Sequence, residues 1–368
     1  MPAPFEIFLA APPGLEPLLA AEAAELGLPD PKPVPGGVTV RGGWPEVWQA
    51  NLRLRGAGRV LARIAAFRAL HLAQLDKRAR KVPWADTLLP GTPVRIEATC
   101  RGSRIYHAGA ARSRIARALE DSGCPLADDP AAVTIRVRID DDLCTLSIDT
   151  SGAPLHRRGH KEEVNAAPLR ETLAALFLRA AGYRGEEPVL DPMCGSGTFP
   201  IEAAGIAAGL APGRSRSFAF ERLASFDPAA GAAMKAAVQP RPTPHRFHGS
   251  DRDAGAVAMS RANAARAGVA GLTSFAEVAI GALARPDGPP GLVITNPPYG
   301  ARLGEAKALR PLYAAFGEVM RARFRGWRVA LLAADQGLAH ATGLPFGAPG
   351  PIVPHGGLKV RLWQTGPL

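Results

Sequence analysis

The chain has 368 residues, of which 47% are hydrophobic, and it carries a formal net charge of +11 at pH 7. This length suits about two or three domains with ordinary cores, and the excess of positive charge favours a polyanionic partner. No run of about 18 apolar residues, no signal-peptide pattern and no C-x-x-C pair among the four cysteines occurs, so we expect a cytoplasmic protein without a membrane span, a disulfide framework or a metal site.

The first 55 residues predict a ferredoxin-like α/β unit. Alternating apolar residues indicate strands at residues 5–9 and 38–41. Helical periodicity covers residues 14–26 and 45–52. This β-α-β-α order is typical of a small ferredoxin-like fold.

A strongly basic segment runs from residue 53 to residue 81. Nine of its residues are lysine or arginine, and its one acidic residue is Asp76. Clustered cations repel one another unless an anion lies close, so the pattern favours phosphate contacts, with solvated helix faces as the alternative. The residues expected to bind RNA are Arg53, Arg55, Arg59, Arg63, Lys77, Arg78, Arg80 and Lys81.

A second α+β module is expected up to residue 150. Strands are indicated at residues 94–100, 133–137 and 143–149, and a helix at residues 108–119.

The polar, basic segment at residues 151–165 is expected to be a linker. His156 and His160 have the spacing of two metal ligands, but the segment shows no third ligand, so we expect them to be solvated.

A strand, a glycine turn and a helix at residues 188–208 organise the second half of the chain. Asp191 ends the strand, and Gly195 and Gly197 let a backbone approach a ligand without a Cβ in the way. A carboxylate at a strand tip and free N–H groups at a helix start suit a nucleoside-bearing ligand. The motif lacks the Gly-Lys-Ser/Thr of a nucleotide-triphosphate loop, and Pro200 breaks the dinucleotide pattern; a tight turn without a ligand is the alternative.

A second loop follows another short strand at residues 291–300, GLVITNPPYG. Ligands bind at the carboxyl ends of strands in a doubly wound sheet, so both loops are expected at one edge. The Asn296 side-chain oxygen and the Pro297 main-chain oxygen can accept both hydrogens of an exocyclic amine, which frees its lone pair to attack. Pro298 limits backbone freedom, and Tyr299 offers a stacking face. A rigid surface turn is the alternative interpretation.

The remaining elements predict an open β/α sheet that ends in a hairpin. Asp251, at the tip of the second strand, is placed to accept two ribose hydroxyls, and Asp253 is expected to cap the next helix. Cys194 is expected to be a packed residue rather than a nucleophile. Strands are expected at 189–190, 246–250, 272–278, 292–294 and 327–333, helices at 167–181, 254–267 and 305–323, the hairpin at 351–364, and no definite structure at 214–244.

These motifs together resemble the class I S-adenosylmethionine-dependent RNA methyltransferases with a THUMP RNA-binding domain. The resemblance is greatest to the methyltransferases that modify guanine N2 in 23S rRNA. Where such an enzyme is fused to a second methyltransferase in bacteria, this chain resembles the N-terminal half of the fusion. It implies an α/β protein with a C-terminal Rossmann-like domain, an antiparallel C-terminal hairpin and an N-terminal ferredoxin-like/THUMP region. The stretches that carry it are GLEPLLAAEAAELG, PGGVTVRG, DTSGAPLHRRGH, APLRETLAA, LDPMCGSGTFPIEAA, HGSDRD and TNPPYG.

The resemblance implies S-adenosyl-L-methionine as the cofactor and an amine gripped by Asn296, Pro297, Pro298 and Tyr299. One departure is Ala279, where the family often has an acidic residue near the adenine; Glu277 stands two places earlier. Cofactor contacts are implied for Pro168, Asp191, Pro192, Cys194, Gly195, Ser196, Gly197, Thr198, Asp251 and Arg252.

The expected function is methyl transfer to the N2 amine of a guanine in 23S rRNA. Guanine N2 and adenine N6 are both exocyclic amines, so the N-P-P-Y motif does not separate them. A tRNA guanine-N2 methyltransferase, a DNA or RNA adenine-N6 methyltransferase and a non-catalytic RNA-binding assembly factor are the alternatives. The expected domains are the ferredoxin-like unit at 1–55, the THUMP domain at 56–150, the linker at 151–165 and the methyltransferase domain at 166–368.

Overall fold

The structure, a computed structural model, describes residues 4–162, 169–299 and 305–368. The chain divides into two compact units. Unit 1 contains Leu19–Leu155 and Arg216–Ala237 together with the first strand, and unit 2 contains His156–Ser215 and Val238–Leu368 together with residues 12–18. No helix in the described ranges is long and apolar enough to cross a membrane.

Unit 1 is built on a seven-stranded, mostly antiparallel sheet in the order β2-β3-β1-β4-β7-β6-β5. Its helices are α1 (Glu16–Glu25), which begins in unit 2, α2 (Trp44–Arg53), α3 (Leu72–Ala79) and α4 (Ala108–Asp121). Its strands are β1 (Phe5–Ala10), β2 (Lys32–Val34), β3 (Gly37–Gly42), β4 (Val60–Arg68), β5 (Val94–Arg101), β6 (Val133–Asp140) and β7 (Leu143–Asp149).

The central strand β4 lies in the basic segment, where the sequence analysis predicted no strand. It pairs antiparallel with β1 on one side and with β7 on the other. The two modules predicted in the N-terminal half therefore share one continuous sheet.

The basic segment is divided between ion pairs inside unit 1 and exposed cations. Arg59 lies 2.5 Å from the Asp149 carboxylate, whose side chain is only 1% exposed, and Arg63 pairs with Glu6. These two arginines, predicted to bind RNA, have partners within the fold; Arg80 likewise pairs with Asp76 and Asp121. The predicted RNA-binding residues with exposed side chains and no ion pair within the described residues are Arg53, Lys77, Arg78 and Lys81.

The expectation of solvated histidines in a linker is wrong for His160, which is buried. Ser151, at the start of the same segment, is fully buried and donates its hydroxyl to the Asn51 side-chain oxygen at 2.7 Å. A polar residue of this segment thus finds its hydrogen-bond partner in the interior, so polarity did not indicate exposure.

The insertion at residues 214–244, left without definite structure by the sequence, folds largely as part of unit 1. It contains α7 (Pro228–Ala236) and a preceding aromatic turn. The Trp48 ring lies 6.2 Å from Phe220 and 5.4 Å from Phe226. Arg216 donates to the main-chain oxygens of Ser151, Ala153 and Pro154 at 2.6–3.0 Å.

Unit 2 is built on a second seven-stranded sheet in the order β10-β9-β8-β11-β12-β14-β13. The first five strands in this order are parallel, and β14 runs antiparallel between β12 and β13. Chain order reverses between β8 and β11, which makes that junction the topological switch point. The strands are β8 (Val189–Asp191), β9 (Phe247–Asp251), β10 (Thr273–Glu277), β11 (Leu292–Thr295), β12 (Arg328–Ala333), β13 (Val353–His355) and β14 (Leu358–Gln364).

The helices of unit 2 agree with the sequence predictions, apart from the short, unpredicted α10. Asp253 caps α8 by accepting the Gly255 N–H at 2.8 Å, as predicted. The main core packs α9 against the sheet around Phe316, Phe324 and Trp327. The helices are α5 (Glu171–Ala180), α6 (Thr198–Ala207), α8 (Ala254–Arg266), α9 (Glu305–Arg323) and α10 (Gln336–Ala341).

Candidate functional site

A cavity of about 660 Å³ opens in unit 2 where β8, β9 and β11 end. Both predicted loops line it. Gly197 is not among its lining residues, and Pro168 lies outside the described residues. The predicted site residues that line it are Asp191, Pro192, Cys194, Gly195, Ser196, Thr198, Asp251, Arg252, Asn296, Pro297, Pro298 and Tyr299.

The sequence analysis missed most of the apolar wall. These residues come from separate stretches of sequence. Leu169, Met193 and Phe199 lie inside stretches that carry the resemblance, but an apolar residue in such a stretch looks like ordinary core, so it was not singled out. They are Leu169, Met193, Phe199, Val278, Ile280, Ala308, Leu309, Leu312 and Leu358.

The glycine loop is fixed from behind by α8. Gly197 has φ +78°, and a Cβ there would come within 3.0 Å of Ser260. Ser260 donates its hydroxyl to the Gly195 main-chain oxygen at 2.8 Å, and Asn263 donates to the Ser196 oxygen at 3.1 Å. Gly197 therefore permits the turn and its close packing, whereas Gly195 and Ser196 face the cavity.

Asp191 is a buried carboxylate at the switch point. Its Oδ1 accepts the Thr295 hydroxyl at 2.8 Å and the Met193 N–H at 3.1 Å. Burial raises its pKa to about 7, although the Thr295 hydrogen bond opposes this shift. The hydrogen bond from Thr295 joins the carboxyl ends of β8 and β11 directly.

Asp251 links the tip of β9 to the glycine loop. Its Oδ2 accepts the Gly195 N–H at 3.0 Å, and its Oδ1 accepts the Asp253 N–H at 3.1 Å. The neighbouring Cys194 is buried, and burial raises the pKa of its thiol, which stays protonated. This agrees with the expectation of a packed cysteine.

The N-P-P-Y loop is held by two tyrosine hydroxyls. Tyr299 donates to Oδ1 of Asn296, and Tyr313 of α9 donates to the Pro298 main-chain oxygen at 3.0 Å. Burial raises the pKa of both tyrosines, which remain neutral donors. Tyr313 is 1% exposed and was missed by the sequence analysis, because a tyrosine on the apolar stripe of a helix looks like an ordinary core residue.

A buried ionic group supports the glycine loop at the start of α6. Lys161 donates its ammonium group to Thr198 Oγ1 at 2.8 Å and to the Leu169 main-chain oxygen at 2.9 Å. Its Nζ also lies 3.7 Å from the Glu171 carboxylate. Burial lowers the pKa of Lys161 and raises that of Glu171. No sequence pattern indicated this contact, because Lys161 falls in a segment that resembles an exposed linker.

The strand order, the terminal antiparallel hairpin and a cavity at the switch point define a Rossmann-like methyltransferase domain. A family model described as "RMKL-like, methyltransferase domain" matches residues 158–344. The chain belongs to this family. A second model, described as "RlmL ferredoxin-like domain", matches residues 6–61. The predicted α/β fold class is therefore confirmed, whereas neither matching model is described as a THUMP domain.

A curated relative is the ribosomal RNA large subunit methyltransferase K/L of Chromohalobacter salexigens, 35% identical over 362 residues, which covers 93% of this chain and 50% of that protein. The chain thus spans about half the length of the curated relatives it matches. Among solved structures, SMU.472 in complex with SAH has a TM-score of 0.88 at 27% identity and covers 100% of this chain and 99% of that chain. A protein of Listeria monocytogenes, described as a predicted N6-adenine-specific DNA methylase, has a TM-score of 0.89 at 29% identity and covers 99% of this chain and 97% of that chain.

The chemistry of the cavity fits S-adenosylmethionine, the cofactor expected for this class. A buried carboxylate at Asp191 suits a cationic group, and a half-buried carboxylate at Asp251 suits hydroxyl hydrogens. The turn at Gly195 and Gly197 brings backbone close to the cavity, and the apolar wall suits a planar base. The prediction that S-adenosylmethionine is the cofactor of this family is therefore confirmed. The described residues contain no group of three or more His, Cys, Asp or Glu side chains that could hold a metal ion.

Proposed function

We propose that this chain transfers a methyl group from S-adenosylmethionine to the N2 amine of a guanine in large-subunit ribosomal RNA. The observation that carries this proposal is that Asp191, Asp251 and Asn296 line one cavity of unit 2. The same cavity therefore offers hydrogen-bond acceptors for a cationic nucleoside and for the amine of a target base.

The cofactor, when bound, supplies an electrophilic methyl group on a sulfonium centre. Asp191 is the residue suited to its ammonium group, because the carboxylate is buried and ionises near neutral pH. Asp251 accepts the ribose hydroxyls. Val278 and Ile280 offer apolar contact to the adenine; Ala279 also lines the cavity, and Glu277 is not among the lining residues.

The target amine is held by the N-P-P-Y loop. Oδ1 of Asn296 and the main-chain oxygen of Pro297 accept its two hydrogens, which turns the lone pair toward the methyl group. Tyr299 and Tyr313 hold the loop in place through hydrogen bonds to Asn296 and Pro298. The amine nitrogen forms its bond to the methyl group as the carbon–sulfur bond breaks and a neutral thioether leaves. The methylated amine then gives up one proton to water. Because no residue has to remove a proton beforehand, positioning and electrostatics account for most of the acceleration.

We infer that unit 1 binds the RNA and that residues 56–150 form the THUMP domain implied by the resemblance. The exposed cations at Arg53, Lys77, Arg78 and Lys81 support this role. The target base must leave its stack to reach the cavity. The choice of guanine N2 and of 23S rRNA depends on the family resemblance described under the sequence analysis, and the names of the curated relatives support ribosomal RNA.

The test is methylation of 23S rRNA, taken from a strain that lacks the gene, with tritiated S-adenosylmethionine and mass spectrometry of the nucleosides. We expect N2-methylguanosine. Asn296→Ala should lower kcat by roughly 100- to 1,000-fold, because a positioned polar contact in the transition state is lost. The Kd of S-adenosylmethionine, measured by calorimetry, should change less than about twofold. Asp287→Ala, an exposed position of unit 2, is the matched control.

Each other product identifies a different function. If the product is N6-methyladenosine, the target base is adenine and not guanine. If N2-methylguanosine forms only with tRNA, the substrate is tRNA and not ribosomal RNA. Tight binding of both S-adenosylmethionine and rRNA without any turnover would support the assembly-factor alternative.

A further inference from the structure

Tyr106 is the most exposed of the large hydrophobic side chains in the described parts of the chain. Its exposed fraction is 83%, whereas the next, Leu89, reaches 51%. A single exposed aliphatic residue is ordinary, but an aromatic ring held almost entirely in water offers a large contact area to a partner.

The loop that carries Tyr106 joins β5 to α4 and is fixed on both sides of the ring. Ile105, immediately before it, is buried, and the Arg104 N–H donates to Asp142 Oδ1 at 2.7 Å. His107, immediately after it, caps α4 by accepting the Ala110 N–H at 3.0 Å. The exposure of Tyr106 is therefore set by its ordered neighbours.

Exposed arginines flank Tyr106 in sequence. Arg101, the last residue of β5, and Arg104 in the loop precede it, and Arg112 follows in the first half of α4; all three side chains are exposed. Acidic residues at the β6–β7 turn lie beside this loop, and each has a partner. Asp140 pairs with Arg138 at 2.7 Å, Asp141 lies 3.8 Å from Arg68, and Asp142 accepts the Arg104 N–H.

We propose that Tyr106 is a stacking platform for an unpaired RNA base, with Arg101, Arg104 and Arg112 contacting the adjacent phosphates. Every base has an aromatic face, and an exposed ring among cations is the combination that binds single strands. A duplex hides its base faces except at its ends, so the platform selects loops and single-stranded segments. This inference rests on the proposed RNA-directed function and adds a binding site outside the basic segment at residues 53–81.

The experiment uses the full chain and a fluorescent oligouridylate of about 12 nucleotides, within the usual site size of single-strand binding surfaces. Tyr106→Ala should raise its Kd by about 5- to 150-fold, the range expected for loss of one stacked base. Tyr106→Phe keeps the ring and should bind like the wild type. Leu89→Ala, which also removes exposed apolar surface from unit 1, is the matched control.

Salt dependence separates stacking from charge. Tyr106→Ala should weaken binding without changing the slope of log K against log salt, because no cation is removed. Arg104→Gln should reduce that slope by about 0.7, the value for one phosphate contact on a single strand. A blunt duplex of the same length should be nearly insensitive to Tyr106→Ala. Crosslinking of 5-bromouridine-labelled RNA to Tyr106 would support the proposal further.

Unchanged single-strand affinity in Tyr106→Ala, while wild-type protein still methylates rRNA, would overturn this inference and leave the proposed function intact. A self-association measured by ultracentrifugation and lost in Tyr106→Ala, with RNA affinity unchanged, would also overturn it in favour of a second copy of the chain. Single-strand binding that depends on Tyr106, without methylation of any RNA, would support the inference and reject the proposed function.

Discussion

The cavity of unit 2 and the basic surface of unit 1 use charged residues in opposite ways. In unit 2, Asp191 and Lys161 are buried and each is held by two or more hydrogen bonds. In unit 1, Lys77, Arg78 and Lys81 lie on the surface, while Arg59, from the same segment, is tied to Asp149. A buried charge depends on specific partners, so replacing it should strongly change the affinity for one ligand. Exposed cations contribute to RNA affinity in proportion to their number, so each replacement should lower that affinity by a small amount.

The largest effect is expected from Asp191→Asn. Calorimetry should show affinity for S-adenosylmethionine reduced at least 100-fold, because a buried charge that faces a cationic ligand is removed. In the wild type the carboxyl pKa is about 7. Below that pH affinity should fall by up to about tenfold per unit, whereas the variant should bind weakly at every pH.

Although Asp191→Asn should weaken cofactor binding, it should not lower the free energy of unfolding at alkaline pH. The folded-state pKa of Asp191 is raised, so its contribution to stability is fully present below the unfolded-state value and is lost as pH rises through about 7. Denaturant unfolding without ligand at about pH 8 should find Asp191→Asn at least as stable as the wild type. A variant that loses stability along with affinity would show that Asp191 is mainly structural.

A smaller effect on binding is expected from Lys161→Met. It leaves the buried Glu171 carboxylate without its cation, and breaking such a pair costs about 3–5 kcal/mol of stability. It also removes the hydrogen bonds to Thr198 and Leu169, both of which line the cavity. We expect the Kd of S-adenosylmethionine to rise about tenfold.

The double variant Lys161→Met with Glu171→Leu separates these two roles. It should recover most of the unfolding free energy, since no unpaired charge remains, but it should keep the weak cofactor affinity. Recovery of both stability and affinity would mean that Lys161 does not position the glycine loop.

The smallest and most gradual effect is expected on the basic surface. Replacing Lys77, Arg78 and Lys81 with glutamine should lower the salt slope of RNA binding by about 2 to 3 and leave thermal stability nearly unchanged. Arg59→Gln should lower thermal stability and leave the salt slope of RNA binding nearly unchanged, because it leaves the buried Asp149 with fewer partners. If the two variants behave alike in both assays, the distinction between surface and interior cations is wrong.

These regions also differ in how far the sequence predicted them. The strand tips at Asp191 and Asn296 were predictable because glycine and proline impose a backbone geometry that few other patterns produce. Strand β4 was missed because its arginines interrupt the apolar alternation, although Val60 and Ala62 are buried. The contact between Lys161 and Thr198 spans 37 positions, and no local pattern encodes it. Sequence therefore predicted the loop residues of the cavity better than its apolar wall or the residues that support the loops.

The aromatic insertion has a consequence for the order in which the protein is made. Residues 19–155 are synthesised before Phe220 and Phe226. During synthesis Trp48 therefore lacks its aromatic contacts until the chain as far as residue 237 has left the ribosome. Unit 1 therefore completes its core only after the first strand and two helices of unit 2 have been synthesised. A fragment cut at residue 155 would leave Trp48 uncovered, whereas one that rejoins residues 216–237 through a short linker would restore a contiguous folding unit.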